Sequence, residues 1–457
     1  MVNSRDSFIL LYLVIAIFLI SIYPISIGIN FLTTALFFTA IFLVIGVRSR
    51  LAKRIDIITI SLLIFILYFC VNIFFGLFDG GLWHTCLLFA KYVLSATQVK
   101  NVWYVLWFSV LGILFATFLF ENNRKFFKAG DSTGKHQVTL GIKQLPDINN
   151  FSIRVLSVIV YFSLFITSVN VAFLLINESY SFYFRLYDSP LIQWHHRFLL
   201  MGQALAFLMP GISLKYGIKL KYIALISVGL SGLMIGQKIW IVTSVLYIIW
   251  FRFSLLQERT NRFTLFITFL VLVTFAGIFN ETRAGRTGGG FLSALTGTSK
   301  SYCTIPYLDE MTYEKSYLFA PLIDRISSIF VSNTGNISGW DGILQESSNL
   351  SYHLTATINP IAFNAGNGVG TSLLAESYSF GGLVAVFVMY VLATITLLTI
   401  HQMIKNNHQR LLYLPLLLMH FLDIHRDSFF DFMILIPYIL ISYLLVKIRL
   451  KKPDVQR

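Results

Sequence analysis

Apolar runs of roughly 17–25 residues, the length that crosses a bilayer, recur along this chain from residue 7 to residue 446. Hydrocarbon offers no partner to a backbone N–H or C=O, so each such run must satisfy its own hydrogen bonds as a helix. One long polar stretch, residues 281–380, interrupts the series. The chain is 56% hydrophobic and only 12% charged, which is too little polar surface to cover a soluble domain of 457 residues. The expected fold class is therefore an all-α polytopic integral membrane protein.

Charges set the ends of the runs. Spans are expected at 7–23 and 30–47, joined by a short Pro/Gly turn, and then at 55–78 and 101–120. Residues 86–96 are apolar but too short to cross, and read as an interfacial or re-entrant helix. Further spans fall at 153–176, 198–214, 222–235, 239–251, 263–279, 381–401, 411–422 and 429–446. This makes about twelve transmembrane helices and places both termini in the cytoplasm, because lysine and arginine concentrate on the side that the positive-inside rule assigns to it. The blocks 48–54, 124–143, 215–221 and 252–262 and the tail 447–457 carry that signal. No small-residue cleavage site follows the first apolar run, which reads as an uncleaved span. The chain divides into a transmembrane bundle at 1–280, one large outer loop at 281–380, and C-terminal helices with a cytoplasmic tail at 381–457.

The net charge of +14 belongs to this topology and does not imply nucleic acid as a partner. The cysteines are Cys70, Cys86 and Cys303, and none has metal-ligand spacing, so no metal and no cofactor are expected. Cys86 and Cys303 fall on the same side, which leaves both a disulfide and free thiols open.

Cations on the outer side are the informative ones, because they run against the insertion rule. Arg283 and Arg286 lie just past a span, Lys238 at the tip of a hairpin, and Arg426 in the outer turn of the last pair, within His425-Arg426-Asp427. Arg185 and Arg197 lie in an aromatic-rich outer loop. The topology puts all of them near one membrane plane, where a ring of cations would bind a lipid-anchored anion such as a polyprenyl pyrophosphate. A guanidinium suits phosphate because its paired donors have a fixed fork. The bland reading stands beside this one: each cation is paired structurally or snorkels to headgroups.

Two residues could take a proton. Glu376 lies just before a span in a glycine-bearing run, and either accepts a proton from a sugar hydroxyl or holds an arginine. His353, in the outer loop, titrates near neutrality and is the second candidate base, although a lone loop histidine is usually only solvated. His195 and His196 have no carboxylate at metal-site spacing. The chain has no phosphate-binding glycine loop with its lysine, which excludes an ATP-driven pump of that kind, and no zinc-protease motif. Charges along span centres are few, and no inverted repeat is visible, which weighs against an ion-coupled transporter.

The segment 368–382, running Gly368-Val369-Gly370-Thr371-Ser372 and through Glu376 to Phe380-Gly381-Gly382, resembles the glycine-serine, acidic-aromatic, Phe-Gly signature of Wzy-type polymerases of O-antigen and related surface-polysaccharide repeat units. Gly236-Gln237-Lys238 is similar to the family's Gly-polar-Arg hairpin tip, with lysine where arginine is usual, and Arg426 matches its late outer arginine. The lysine keeps the charge but loses the fork.

The resemblance covers the whole chain in architecture and implies a GT-C-like fold with one large periplasmic loop in the bacterial inner membrane. It implies a glycosyltransferase that joins undecaprenyl-pyrophosphate-linked glycans without a cofactor. Glu376 or His353 would then act as base, with Arg283, Arg286, Arg426, Lys238 and Arg197 on the pyrophosphate. Its partners would be these lipid-linked glycans, membrane lipid and a Wzz-type chain-length regulator. Three rivals share part of the pattern: an O-antigen ligase transferring glycan to lipid A core, a polysaccharide flippase or other transporter, and a membrane scaffold.

Overall fold

The computed structural model describes residues 4–52, 55–70, 73, 85–86, 92–123, 239–256, 304–308, 317–319, 322–323, 350–358, 360, 372–407, 410–411, 413–425 and 428–447, with isolated positions between 158 and 229. The described residues are almost entirely helical. They fall into two units, one built from Met1–Lys128, Phe266–Thr399 and His420–Met433, the other from Ala129–Leu265, Ile400–Met419 and Ile434–Arg457.

In the first unit, α1 (Ser4–Ile27) and α2 (Asn30–Ala52) form a hairpin whose turn follows from one residue. Gly28 adopts φ 79°, its N–H reaches the Ile25 carbonyl, and the Ile29 N–H reaches the Pro24 carbonyl at 2.8 Å. This left-handed helix stop satisfies the orphan carbonyls of α1 with the chain's own donors, which a helix end near hydrocarbon requires. Next come α3 (Ile57–Phe65), which continues as a π-helical turn Ile66–Cys70, and a minimal antiparallel pair, β1 (Thr85–Cys86) and β2 (Tyr92–Val93). The helix expected at 86–96 is thus corrected: Cys86 pairs across to Tyr92, and helix resumes only at Ala96. The physical reason is the start signal at Ser95, whose side chain and that of Gln98 cap each other's backbone N–H and fix the beginning of α4 (Ala96–Asn122).

Helices α1, α2 and α4 pack together through aromatic contacts. Phe37 of α2 sets its ring against Trp103 and Trp107 of α4, and Phe18 of α1 meets Trp107 and Phe108. The outer faces of α1 and α2 expose Phe8, Tyr12, Leu19, Tyr23 and Phe31. That apolar exterior is what contact with lipid requires.

A buried charge cluster ties four helix ends to one face of this unit. Arg48, near the end of α2, sets Nη2 2.5 Å from Asp56 at the start of α3 and 3.1 Å from Glu121 at the end of α4. The Ser7 hydroxyl, at the start of α1, donates to the other Glu121 oxygen. Asp56 also caps α3, accepting from the Thr59 N–H at 2.8 Å. Arg48, expected only as part of the basic block at 48–54, is instead a buried ion-pair partner. The cluster requires α1 to run one way, α2 back, α3 out again and α4 back, the alternation that the expected spans 7–23, 30–47, 55–78 and 101–120 describe.

Among the described residues four helical segments are long and apolar enough to cross a membrane: Arg5–Ile27, Asn30–Ser49, Ala96–Asn122 and Leu373–Asn406. The last belongs to α8 (Leu373–Asn406), which passes α4 closely at Gly112, where an added Cβ would lie 2.8 Å from the Phe387 carbonyl oxygen. Between α4 and α8 in sequence lie α5 (Ile239–Ile249), extended by a π-helical turn Trp250–Leu255, α6 (Ile305–Leu308) and α7 (Leu350–Ile358). After α8 come α9 (Pro415–Leu422), the 3-10 turn Phe429–Asp431 and α10 (Phe432–Lys447). At 1.5 Å per residue, the eight residues of α9 rise only about 12 Å and cannot cross a bilayer, which corrects the span expected at 411–422.

The second unit is anchored by hydrogen bonds inside its apolar packing. Tyr247 donates its hydroxyl to the Phe207 carbonyl at 2.7 Å, and Trp250 donates its ring N–H to His401 Nδ1 at 3.1 Å.

Candidate functional site

Ser372 starts the site. Its hydroxyl accepts from the Ala375 N–H at 3.1 Å and its carbonyl from the Glu376 N–H at 3.0 Å, so it caps α8. The cap places Glu376 in the first turn, where the helix dipole favours a negative charge. Glu376 is therefore a helix residue. Its side chain is buried, 1% exposed, and Oε2 accepts from the Ser428 hydroxyl at 2.9 Å. Ser377 and Ser379 donate back to the Leu373 and Glu376 carbonyls, which satisfies their hydroxyls without outside partners. The first turns then stop. Gly382 lies at φ 60°, ψ −145°, a conformation open to glycine almost alone, and sets 373–380 at an angle to the rest of α8. The glycine-serine signature thus has a local explanation: serine to cap, glutamate in the first turn, glycine to break.

An apolar cluster holds this short arm. Leu308 of α6, Tyr317, Leu350 and Leu354 of α7, and Ala375 of α8 form it, with Tyr307 and Tyr378 packed against it. His353 neighbours Leu354 on α7, is half-buried, and lies 5.1 Å from the Tyr317 ring. The two candidate bases, Glu376 and His353, therefore stand on elements that share one apolar cluster.

Of the residues between α9 and the 3-10 segment, Asp423, Ile424, His425 and Ser428 are each 1–2% exposed. His425 sets Nε2 3.2 Å from the Ser61 hydroxyl of α3, stacks on Tyr390 of α8, and meets Phe65 and Phe69 edge-on. Ser428, His425 and the buried Asp423 carry no signal in the sequence beyond lying next to Arg426, and reasoning from sequence passed over them as site residues.

Of the expected cations, Arg197, Lys238, Arg283, Arg286 and Arg426 lie outside the described residues, as does Arg185. In sequence, Arg426 directly follows His425 and precedes Ser428 by two positions. Cys70 is buried as a free thiol, and Cys303 lies outside the described residues, so the Cys86–Cys303 pairing does too.

With this geometry in view, the comparisons are narrow. The family model described as O-antigen polysaccharide polymerase Wzy matches residues 8–452 of the 457-residue chain. No curated protein and no solved structure matches it.

Proposed function

The chain belongs to the O-antigen polysaccharide polymerase family, and from that premise we propose that it joins undecaprenyl-pyrophosphate-linked oligosaccharide repeat units into polymer at the periplasmic face of the inner membrane. The observation that carries this is the family match along nearly the whole chain. The acceptor hydroxyl of one repeat unit attacks the anomeric carbon of the other unit's reducing-end sugar. The new C–O bond forms as the bond to pyrophosphate breaks, and undecaprenyl pyrophosphate leaves with the electron pair. The acceptor's proton goes to a base, Glu376 or His353. No nucleotide sugar takes part.

Each step has a demand that residues of this chain can meet. The leaving pyrophosphate gains charge, and Arg283, Arg286 and Arg426 are proposed to stabilise it, with Lys238 and Arg197 as further cations. A base within reach of the acceptor contributes about 10²–10⁴-fold. Glu376 is supported by its place in the first turn of α8 and by the Ser428 hydroxyl, which holds one carboxylate oxygen. His353 is supported by its position on α7, whose Leu354 packs with Ala375. A Wzz-type regulator is proposed as a partner on family grounds alone.

The test is a deletion strain complemented with wild type, Arg286→Ala, Arg426→Ala and Glu376→Ala, with surface polysaccharide read as a ladder and protein level followed in parallel. The deletion should leave lipid A core bearing a single repeat unit, and the variants should stop there at normal protein level. Core without any repeat unit, together with accumulated lipid-linked polymer, would instead mean a ligase. Loss of every outward-facing intermediate would mean a flippase.

A further inference from the structure

A serine at the head of a helical turn ordinarily spends its hydroxyl on that turn, accepting from a backbone N–H two or three residues on. Ser428 stands in that place, before the 3-10 turn Phe429–Asp431, yet its side chain makes no cap hydrogen bond. The Asp431 N–H goes to the Ser428 carbonyl at 3.3 Å, so the turn closes without the hydroxyl. The hydroxyl donates instead to Glu376 Oε2 at 2.9 Å, across 52 positions of sequence. Both residues belong to the first unit, and both are buried. The serines that follow Glu376 in the chain are committed elsewhere. Ser377 donates to the Leu373 carbonyl and Ser379 to the Glu376 carbonyl.

From these contacts we propose that Ser428 is a positioning residue, whose hydroxyl fixes the Glu376 carboxylate in the orientation that takes the acceptor's proton. The proposal rests on the reading of Glu376 as the base. Apolar packing is non-directional, so burial alone does not select the plane of a carboxylate on a long side chain. The packing beside Glu376 is of that kind, since Ala375 sits in the apolar cluster with Leu308, Leu350 and Leu354. A hydrogen bond in a low-dielectric interior is directional and costly to leave unmade, and it is stronger when the acceptor is ionised. The donor is itself held in place. Directly behind Ser428, Phe429 and Phe432 set their rings 5.6 and 5.9 Å from that of Phe421 on α9. A base turned away from its proton loses rate without losing the fold, and that difference is measurable.

The experiment uses the full-length protein in lipid nanodiscs with a lipid-linked repeat unit as substrate. The constants kcat and KM and the melting temperature are measured for Ser428→Ala, Ser428→Thr, Glu376→Gln and Ser428→Ala/Glu376→Gln. Ser428→Ala is expected to lower kcat by about tenfold or more, the scale of a lost hydrogen bond to a charged group, with KM within about twofold of wild type. Threonine keeps the hydroxyl, and the extended backbone at Ser428, φ −69° and ψ 143°, suits a β-branched residue. Ser428→Thr should therefore return kcat to within about threefold of wild type. The double variant should be no slower than Glu376→Gln alone, because a residue that acts through the carboxylate has nothing left to orient. Three results would overturn the proposal: wild-type kcat in Ser428→Ala, full additivity in the double variant, or rates in Ser428→Ala and Ser428→Thr that fall together with melting temperature. Glu376→Gln at wild-type kcat would instead overturn the reading of Glu376 as the base.

Discussion

Glu376 accepts a hydrogen bond from Ser428 whether or not it also accepts a proton, and one substitution separates the two roles. Glu376→Gln keeps an oxygen for Ser428 and removes the basic group. If Glu376 is the base, the polymerisation rate should fall by about 100-fold or more with an unchanged melting temperature. A Glu376→Gln enzyme near wild-type rate, beside an inactive His353→Ala, would move the base to His353. Arg48 poses the opposite case. It is 4% exposed and set between two carboxylates. Arg48→Ala strands both of them, a cost of about 3–5 kcal/mol, and should appear as a collapse in folded protein, not as a kinetic change. The sequence could not distinguish these arginines. Arg48 counts as a cytoplasmic charge on any hydropathy plot, because its partner Glu121 is 73 positions away and meets it only once α2 and α4 pack. Ser428 was equally hidden, since a serine beside an arginine has no pattern until Glu376 arrives.

At the scale of elements, two glycines should fail for different reasons. Gly112→Ala pushes a methyl to within 2.8 Å of the Phe387 carbonyl oxygen, so α4 and α8 must part, at about 1–3 kcal/mol. Gly382→Ala meets open space but must hold φ 60°, a strain of about 1–3 kcal/mol stored beside the site. Gly46→Ala, in α2 with nothing within 4 Å, is the control and should melt within about 1 kcal/mol of wild type. Denaturation curves in detergent check all three, and Gly382→Ala should also lose activity because the bend carries Glu376. Elements were the most legible level of this chain. Helices α1, α2, α4 and α8 cover the spans expected at 7–23, 30–47, 101–120 and 381–401, since a long apolar run allows little else. What failed were short segments. Residues 86–96 gave an apolar run without saying which way the backbone turned, and the strand pair of Thr85–Cys86 with Tyr92–Val93 followed instead. The run 411–422 hid a helix, Pro415–Leu422, too short to cross.

For the molecule as a whole, the Arg48, Asp56, Glu121 and Ser7 cluster fixes four helix ends to one face of the first unit. We propose from the positive-inside rule that this face is cytoplasmic. Cysteines introduced at Lys53 and Ile29 should therefore react from opposite sides with a membrane-impermeant thiol reagent, Ile29 in intact cells whose outer membrane has been permeabilised and Lys53 only after lysis. Equal labelling at both positions would contradict the topology. The proposed chemistry can be followed in a single reaction. Purified protein in lipid nanodiscs is given a lipid-linked repeat unit and no nucleotide sugar, and both glycan length and free polyprenyl pyrophosphate are measured. A polymerase should give a ladder of lengthening glycans, with one pyrophosphate carrier released for each linkage formed. Glycans that stay at one repeat unit, or that lengthen without release of carrier, would contradict that chemistry.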